Sequence, residues 1–299
     1  MASIFTGADI ILGASTIRQV TQADTKTGQQ HRKATNSGGA VVVQVSGKSA
    51  EEITSFTSAD VAALVALNTS TFCSVGFPSL LTTNTVPMKL RTNGVVFASG
   101  ASHPWITGAS CLVVPTSFEA TQDGDFATCG ADIHWISADG LASGYASAVS
   151  QTLAAQAFNA EHTLGPAYIN ASLIAGVQSI KVNPGIEIVK PPLGSGSLRP
   201  THISIKMGTP TIEITVNDFA NIAATLGAFT AMTSANVYFK KRADSGTFTA
   251  NITAEHVRFT LGAGLADTSN ITVSGNDDGS ATITLHGKVL TASAVVAIP

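Results

Sequence analysis

The sequence predicts a mainly β protein: two related antiparallel β-sandwich or barrel-like units, each with a short flanking helix. Three observations carry that reading. Apolar and polar residues alternate along β-branched stretches such as "TFTANITAEHVRFTLGAG" (247–264), the signature of a strand covering a core on one side. Charged residues are only 12% of the chain and apolar residues 44%, so much surface is hidden from water, as in the charge-depleted core of an interface between copies. Three blocks of residues also recur in the same order about half the chain apart, the mark of an internal repeat.

Taken along the chain, "TQADTKTGQQHRKATNSGG" (21–39) is polar and Gly/Ser/Thr-rich, a long loop or an arm reaching a neighbour. "SADVAALVAL" (58–67) reads as a helix capped by Ser58 or Asp60, with Leu64 and Leu67 on one side. Its counterpart is "VNDFANIAATL" (216–226), Asp60 falling on Asp218 at an offset of 158. "VPMKLR" (86–91) matches "VYFKKR" (237–242) at an offset of 151, through Val86/Val237, Lys89/Lys240 and Arg91/Arg242. "TSFEATQDGDFATCGADIHWIS" (116–137) matches "TSNITVSGNDDGSATITLHG" (268–287) at 152, through Thr116/Thr268, Ser117/Ser269 and His134/His286. Both read as hairpins around an acidic Gly turn. Their second strands share an inward row, Cys129, Ala131 and Ile133 against Ala281, Ile283 and Leu285. Their first strands are out of phase, Phe118 and Ala120 against Ile271 and Val273, which requires a one-residue shift such as a bulge.

A further Ala-rich stretch, "ASAVSQTLAAQAFNAEH" (146–162), is an extra helix candidate with no counterpart. "VNPGIEIVKPPLGSGSLRP" (182–200) has the composition of a linker, stiff and then flexible. The boundary is placed near 195, giving a first unit at 1–195, with the N-terminal arm and the extra helix, and a second at 196–299.

The chemistry is sparse. Net charge is -3 with no basic stripe, against the footprint of sequence-specific nucleic-acid binding. No run of about 18 apolar residues suggests a spanning helix, and "MASIFTGADIIL" lacks the positive start of a standard secretory signal. Cys73, Cys111 and Cys129 form no CxxC spacing, and the seven histidines form neither HxH nor HExxH, so no structural zinc or metalloprotease site is expected. His134 and His286 are read as exposed on the polar faces of equivalent strands. "QDGD" (122–125) and "GNDDGS" (275–280) lack the spaced ligands of a calcium loop and read as turns. No catalytic, cofactor-binding or metal-binding residue is assigned, and the chain is not expected to be an enzyme. The densest basic residues are Lys89, Arg91, Lys240, Lys241 and Arg242. They are either solvated strand ends, or contacts between subunits or with negative cargo in a lumen.

The strand, helix and hairpin order resembles the tail-tube fold of tailed bacteriophages and related injection systems. The second unit, from "THISIKMGTPTIEITVNDFANI" to "GSATITLHG", looks closest. The resemblance implies small antiparallel sandwiches with one flanking helix, whose hairpins join into a continuous barrel in a ring. It also implies, as in members with two such units, six units from three chains. On that reading the chain is a virion protein assembled in the host cytoplasm, a tail tube or tail-completion or baseplate subunit. It partners itself as a trimeric or hexameric ring, contacts other tail or particle proteins, and lets DNA pass through a lumen without sequence preference. No cofactor is implied. Two other classes compete: another self-assembling shell protein, as in a capsid or surface layer, and a β-sandwich adhesin or carbohydrate-binding module.

Overall fold

The computed structural model describes residues 4–7, 9–35, 42–67, 79–91, 103–123, 126–151, 161–189, 193, 196–217, 230–243, 246–274 and 277–299. The protein is mainly β and its ladders are antiparallel. First come β1 (Ile4–Gly7), β2 (Ile10–Leu12), β3 (Ser15–Ile17), β4 (Val20–Thr27), β5 (Gln30–Thr35) and β6 (Val42–Ser49). There follow β7 (Glu52–Ser58), helix α1 (Val61–Ala66), β8 (Ser79–Arg91), β9 (His103–Thr121), β10 (Thr128–Trp135) and β11 (Ala146–Gln151). Next are β12 (Glu161–Ile169), β13 (Ser172–Ile174), β14 (Val177–Asn183), β15 (Ile186–Val189), β16 (Ser204–Met207) and β17 (Thr211–Val216). Last are β18 (Thr230–Met232), β19 (Ala235–Arg242), β20 (His256–Leu261), β21 (Gly264–Ser274), β22 (Asp277–Gly287) and β23 (Leu290–Val296). Among the described residues no helix is long and apolar enough to cross a membrane.

The spine of the long sheet runs β18-β21-β22-β17-β14-β9-β10-β7-β4, with β8 and β11 also pairing β9. A five-stranded sheet runs β13-β12-β19-β20-β23, and the hairpins β5-β6 and β15-β16 form sheets of their own. Strand β7 alternates buried and half-buried residues along its whole length, as a strand with one face on a core must. The two larger sheets meet through aromatic packing. Phe118 of β9 and Phe259 of β20 lie with ring centroids 4.7 Å apart, and Phe239 of β19 packs edge-on against Phe259 at 5.4 Å. All three are fully buried.

Asp60 caps α1, its Oδ1 accepting from the Ala63 N–H at 3.2 Å, while Ser58 Oγ accepts from the Asp60 N–H. Val61, Leu64 and Val65 are buried. The helix is six residues long, shorter than the capping pattern suggests, and a helix of that length depends on its packing against the sheet. Most of the second candidate helix, from 218 onward, lies outside the described residues. The Ala-rich stretch is corrected in part. Residues 146–151 form β11, paired with the first half of β9 from Ala146/Thr107 to Gln151/His103, and 161–162 open β12. Edge pairing to a long strand overrides the helical propensity of Ala there. Strands on both sides of residue 195 share both large sheets, β12 with β19 and β14 with β17.

The pairing register of residues 4–151 recurs in residues 161–296. Hairpin β2-β3 joins Ile10 to Ile17 and Leu12 to Ser15; β12-β13 joins Ala167 to Ile174 and Ile169 to Ser172, an offset of 157 (10 to 167). Strand β4 meets β7 at Val20/Ser58, then slips by one at Gln22/Thr57. Strand β14 meets β17 at Val177/Val216 and slips by one at Ser179/Thr215, offsets of 157 (20 to 177) and 158 (58 to 216). Val86/Ile106 in β8-β9 answers to Val237/Phe259 in β19-β20, and Ser79/Val113 to Thr230/Ala266 in β18-β21, offsets of 151 (86 to 237) and 153 (106 to 259). The main hairpins carry a bulge at the same rung, between Ser117/Gly130 and Pro115/Ala131 and between Asn270/Thr282 and Thr268/Ile283. Gln151/His103 answers to Val296/His256, each beside a bulge. The second hairpin carries a further shift, between Thr272 and Ser274, that β9-β10 lacks, as the out-of-phase first strands require. Phe118 faces Cys129 and Ile271 faces Ala281, so the second hairpin closes with one residue fewer at its tip.

Candidate assembly interface

Each half contributes four neighbouring strands to the long sheet, β9-β10-β7-β4 and β21-β22-β17-β14, and β14 joins β9 at the seam. The seam pairs Ser179/Thr121, Ile180/Ala120, Lys181/Glu119 and Val182/Phe118. Ile180, Ala120, Val182 and Phe118 are buried, so the seam is continuous core on its inner face. On the other face Lys181 Nζ lies 2.9 Å from Glu119 Oε1. The Glu119 hydrogen bond and charge raise the Lys181 pKa, but both side chains are half exposed, and such pairs contribute about 0–1 kcal/mol.

The outer strands of the two blocks keep one open side among the described residues. Strand β4 pairs with β7 alone, and β21 meets β18 only at Gly264–Ala266. Thr21, Gln22, Ala23 and Asp24 are exposed. Unpaired backbone of this kind is a template for another strand. Asp24 and Lys26, paired with each other at 3.1 Å, are the type of charge that guards an edge while the chain is alone. The face of the long sheet turned away from the core carries Asp24, Glu119, Asp132 and Glu213 against Lys26 and Lys181. It is polar and mildly acidic.

The basic residues singled out in the sequence sit on equivalent strands. Lys89 and Arg91 pair with Thr6 and Ile4 of β1, and their side chains lie outside the described residues. Lys240, Lys241 and Arg242 pair with Thr163, His162 and Glu161 of β12. Lys241 Nζ is 3.2 Å from Glu255 Oε2. Lys240 and Arg242 lie 5.4 Å and 6.0 Å from the ring centroid of Phe248, an aromatic ring 58% exposed. Arg242 Nε donates to the Gly246 carbonyl at 3.0 Å. Arg242 and Phe248 border an open groove of 560 Å³ that also touches Gln122, Gln178 and Asn217 at the seam.

The buried polar groups serve packing. His134 is 7% exposed, between Leu112 and Ile53 of the adjoining strands, whereas His286 is exposed; the expectation of two exposed histidines holds for one. His256 is fully buried. Its Nδ1 accepts from the Lys241 N–H at 3.0 Å and its Nε2–H donates to the Ala250 carbonyl at 3.1 Å, which fixes one neutral tautomer. Cys111 and Cys129 are buried free thiols. Burial pushes the Cys111 pKa up to about 12, and raises that of Cys129 with help from the Asp60 charge. Such thiols are inert. Cys73 and parts of the two turn candidates, 124–125 and 275–276, lie outside the described residues, while 277–280, also expected in a turn, open β22. Among the described residues no group of three or more His, Cys, Asp or Glu is placed to hold a metal.

Sequence reading missed a strongly buried ion pair. Glu52, 5% exposed, accepts from Arg199 Nε at 2.9 Å, Ser143 Oγ at 2.8 Å and the Gly144 N–H at 2.7 Å. Arg199 Nη1 also donates to the Leu141 carbonyl. This clamp ties the 137–144 loop to the segment before β16, and nothing in the spacing of 52, 143 and 199 announces it. The chain matches no family model and no curated protein.

Proposed function

We propose that the chain is a structural virion protein, a tube-type subunit of a phage tail in which two duplicated units lie side by side. The carrying observation is the recurrence of one pairing register, bulges included, across 4–151 and 161–296. On this reading the units meet between 152 and 160 instead of near 195. The Pro- and Gly-rich stretch 182–200 is then the counterpart of the polar arm at 21–39, and hairpin β15-β16 the counterpart of β5-β6.

The seam is a head-to-tail contact, since β14 and β9 come from opposite edges of equivalent blocks. A heterologous contact repeats until it closes into a ring or grows into a filament. Within each chain it is made once, leaving one edge of each kind. Three chains then give six units around a lumen lined by the polar, mildly acidic face, through which DNA passes with little adhesion. Particle or tail neighbours contact the ring from above and below, and the basic ends of β8 and β19 with Phe248 are the candidate surface for them. The reaction the protein performs is assembly; no enzymatic chemistry is assigned.

Negative-stain imaging together with native mass measurement tests this. Expected are rings with a central hole and a mass of three times 30.5 kDa. A monomer that persists at high concentration overturns the reading, and flat sheets without a hole point to a surface-layer protein.

A further inference from the structure

We infer that β4 of one copy pairs in antiparallel register with β21 of the next, and that the seam inside the chain fixes the register. The inference rests on the ring reading and goes beyond it by naming the strands and the rungs. Strand β14 maps on β4 by 157 (177 to 20) and β9 maps on β21 by 153 (113 to 266). Two of the seam rungs, Lys181/Glu119 and Val182/Phe118, therefore become Asp24/Thr272 and Thr25/Ile271 between copies, and Ile180/Ala120 and Ser179/Thr121 answer to Ala23/Val273 and Gln22/Ser274, where β21 shifts register beyond Thr272.

Three features agree. Both strands have an open side at these residues among the described ones. On the side where β8 and β14 share the length of β9, β18 leaves the matching part of β21 vacant. Ile180 is 1% exposed at the seam whereas Ala23, its counterpart, is exposed in the single chain, so the second copy completes an inner face that the lone chain leaves uncovered. The surface ion pair is not reproduced, because Asp24 stands in place of Lys181 and Thr272 in place of Glu119. The contact between copies is then backbone pairing and apolar burial, and raised salt leaves it in place.

Paired cysteines test the register in a Cys73→Ser background, the two buried thiols remaining untouched. Adjacent rungs alternate between hydrogen-bonded and non-hydrogen-bonded pairs with different Cα separations. Two double variants are therefore made, Asp24→Cys with Thr272→Cys and Thr25→Cys with Ile271→Cys. Under a mild oxidant at least one should lock into a covalently closed ring, and its mass under denaturing, non-reducing conditions counts the copies. A pair displaced by two rungs, Asp24→Cys with Asn270→Cys, should cross-link about tenfold less, because its Cα atoms lie beyond disulfide reach. Mixing the two single variants should give a covalent dimer containing one chain of each. Lys181→Cys with Glu119→Cys closes within one chain and reports that the fold is intact. If native mass shows rings and that control closes while both test pairs stay open, the register is wrong and the ring reading survives. Efficient dimers of Asp24→Cys alone overturn the head-to-tail contact, and a monomer overturns both.

Discussion

At one rung the two halves solve the same packing problem in opposite ways. In the first, Trp135 lies over Gly108, where an added Cβ would meet the indole ring at 2.4 Å. In the second, the equivalent residues are Gly287 and Leu261, and a Cβ on Gly287 would meet Leu261 Cγ at 2.4 Å. Large and small have exchanged strands. The backbone around them also differs. Strand β9 runs unbroken for 19 residues, while its counterpart divides into β20 and β21 at Gly262–Ala263, one piece in each large sheet. The register does not slip at the division, since Ala235/Leu261 and Met232/Gly264 follow one another in step. Gly264 permits the turn between sheets, for a Cβ there would sit 1.8 Å from the His286 carbonyl oxygen. Backbone pairing is held in common, and side-chain volume is free to move from one strand to the other provided the total is kept.

The largest expected effect lies where the halves differ most. Glu52 has Pro210 as its counterpart, and its partners Ser143 and Gly144 belong to a ten-residue connection (136–145) between β10 and β11 that shrinks to two residues (288–289) between β22 and β23. Arg199→Ala strands the buried Glu52 carboxylate and should lower stability by about 3–5 kcal/mol. The midpoint of chemical denaturation should fall with its slope unchanged. Adding Glu52→Gln should recover part of the loss. If Arg199→Ala costs no more than a surface pair, the clamp is not buried in solution.

The exchanged rung offers a sharper test of equivalence. Gly108→Ala and Gly287→Ala should each cost about 1–3 kcal/mol through overpacking. Trp135→Leu should rescue the first and Leu261→Ala the second. Two double-mutant cycles with coupling of the same sign would support one shared rung. Additive effects in either half would break the comparison.

A smaller effect attends the tight turns that the sequence comparison overlooked. Gly13 and Asn170 occupy the same turn position with φ of 60° and 51°. Each turn is tied to the neighbouring strand by an asparagine, but from opposite ends. The Asn84 Oδ1 accepts from the Gly13 N–H at 3.1 Å, and the Asn170 Oδ1 accepts from the Thr233 N–H at 2.8 Å and Thr233 Oγ1 at 2.7 Å. Asn170→Gly keeps the backbone freedom and loses the tether, so about 1 kcal/mol should disappear. A thermal unfolding scan of Asn170→Gly beside Asn84→Ala measures it.

The β class and three of the offsets were legible because they rest on alternation and on identical residues at matched rungs, such as Lys89/Lys240 and Arg91/Arg242. The offset of 157 was not. Over 4–17 and 161–174 the identities reduce to Thr6/Thr163, Ala14/Ala171, Ser15/Ser172 and Ile17/Ile174, because a ladder constrains backbone and alternation more than residue identity. The stretch 182–200 reads as a linker because composition cannot show that part of it, β15, pairs with β16 as a hairpin. The burial of His134 depends on what covers its strand, which no local pattern carries.

The smallest expected effect is a pH dependence confined to the first half. Asp139 lies in the long connection that the second half lacks. Its Oδ1 accepts from the Leu141 and Ala142 N–H groups at 2.8 Å each and from Ser137 Oγ at 3.2 Å. Those backbone hydrogen bonds hold its carboxyl below the usual carboxylate range. A carboxylate favoured in the folded chain supports the fold above the unfolded pKa, and that support fades as pH falls through the lower, folded value. Because the group is exposed, the change should be local. The protection of the Leu141 and Ala142 amides, their exchange relative to an unstructured peptide at the same pH, should fall on acidification below about pH 4, while protection in β22 and β23, whose connection has no such carboxylate, should not follow it. Asp139→Asn should remove the dependence and leave the protection of Leu141 and Ala142 the same across that range. A variant that still titrates there would mean that another group, shared by both halves, governs the loop.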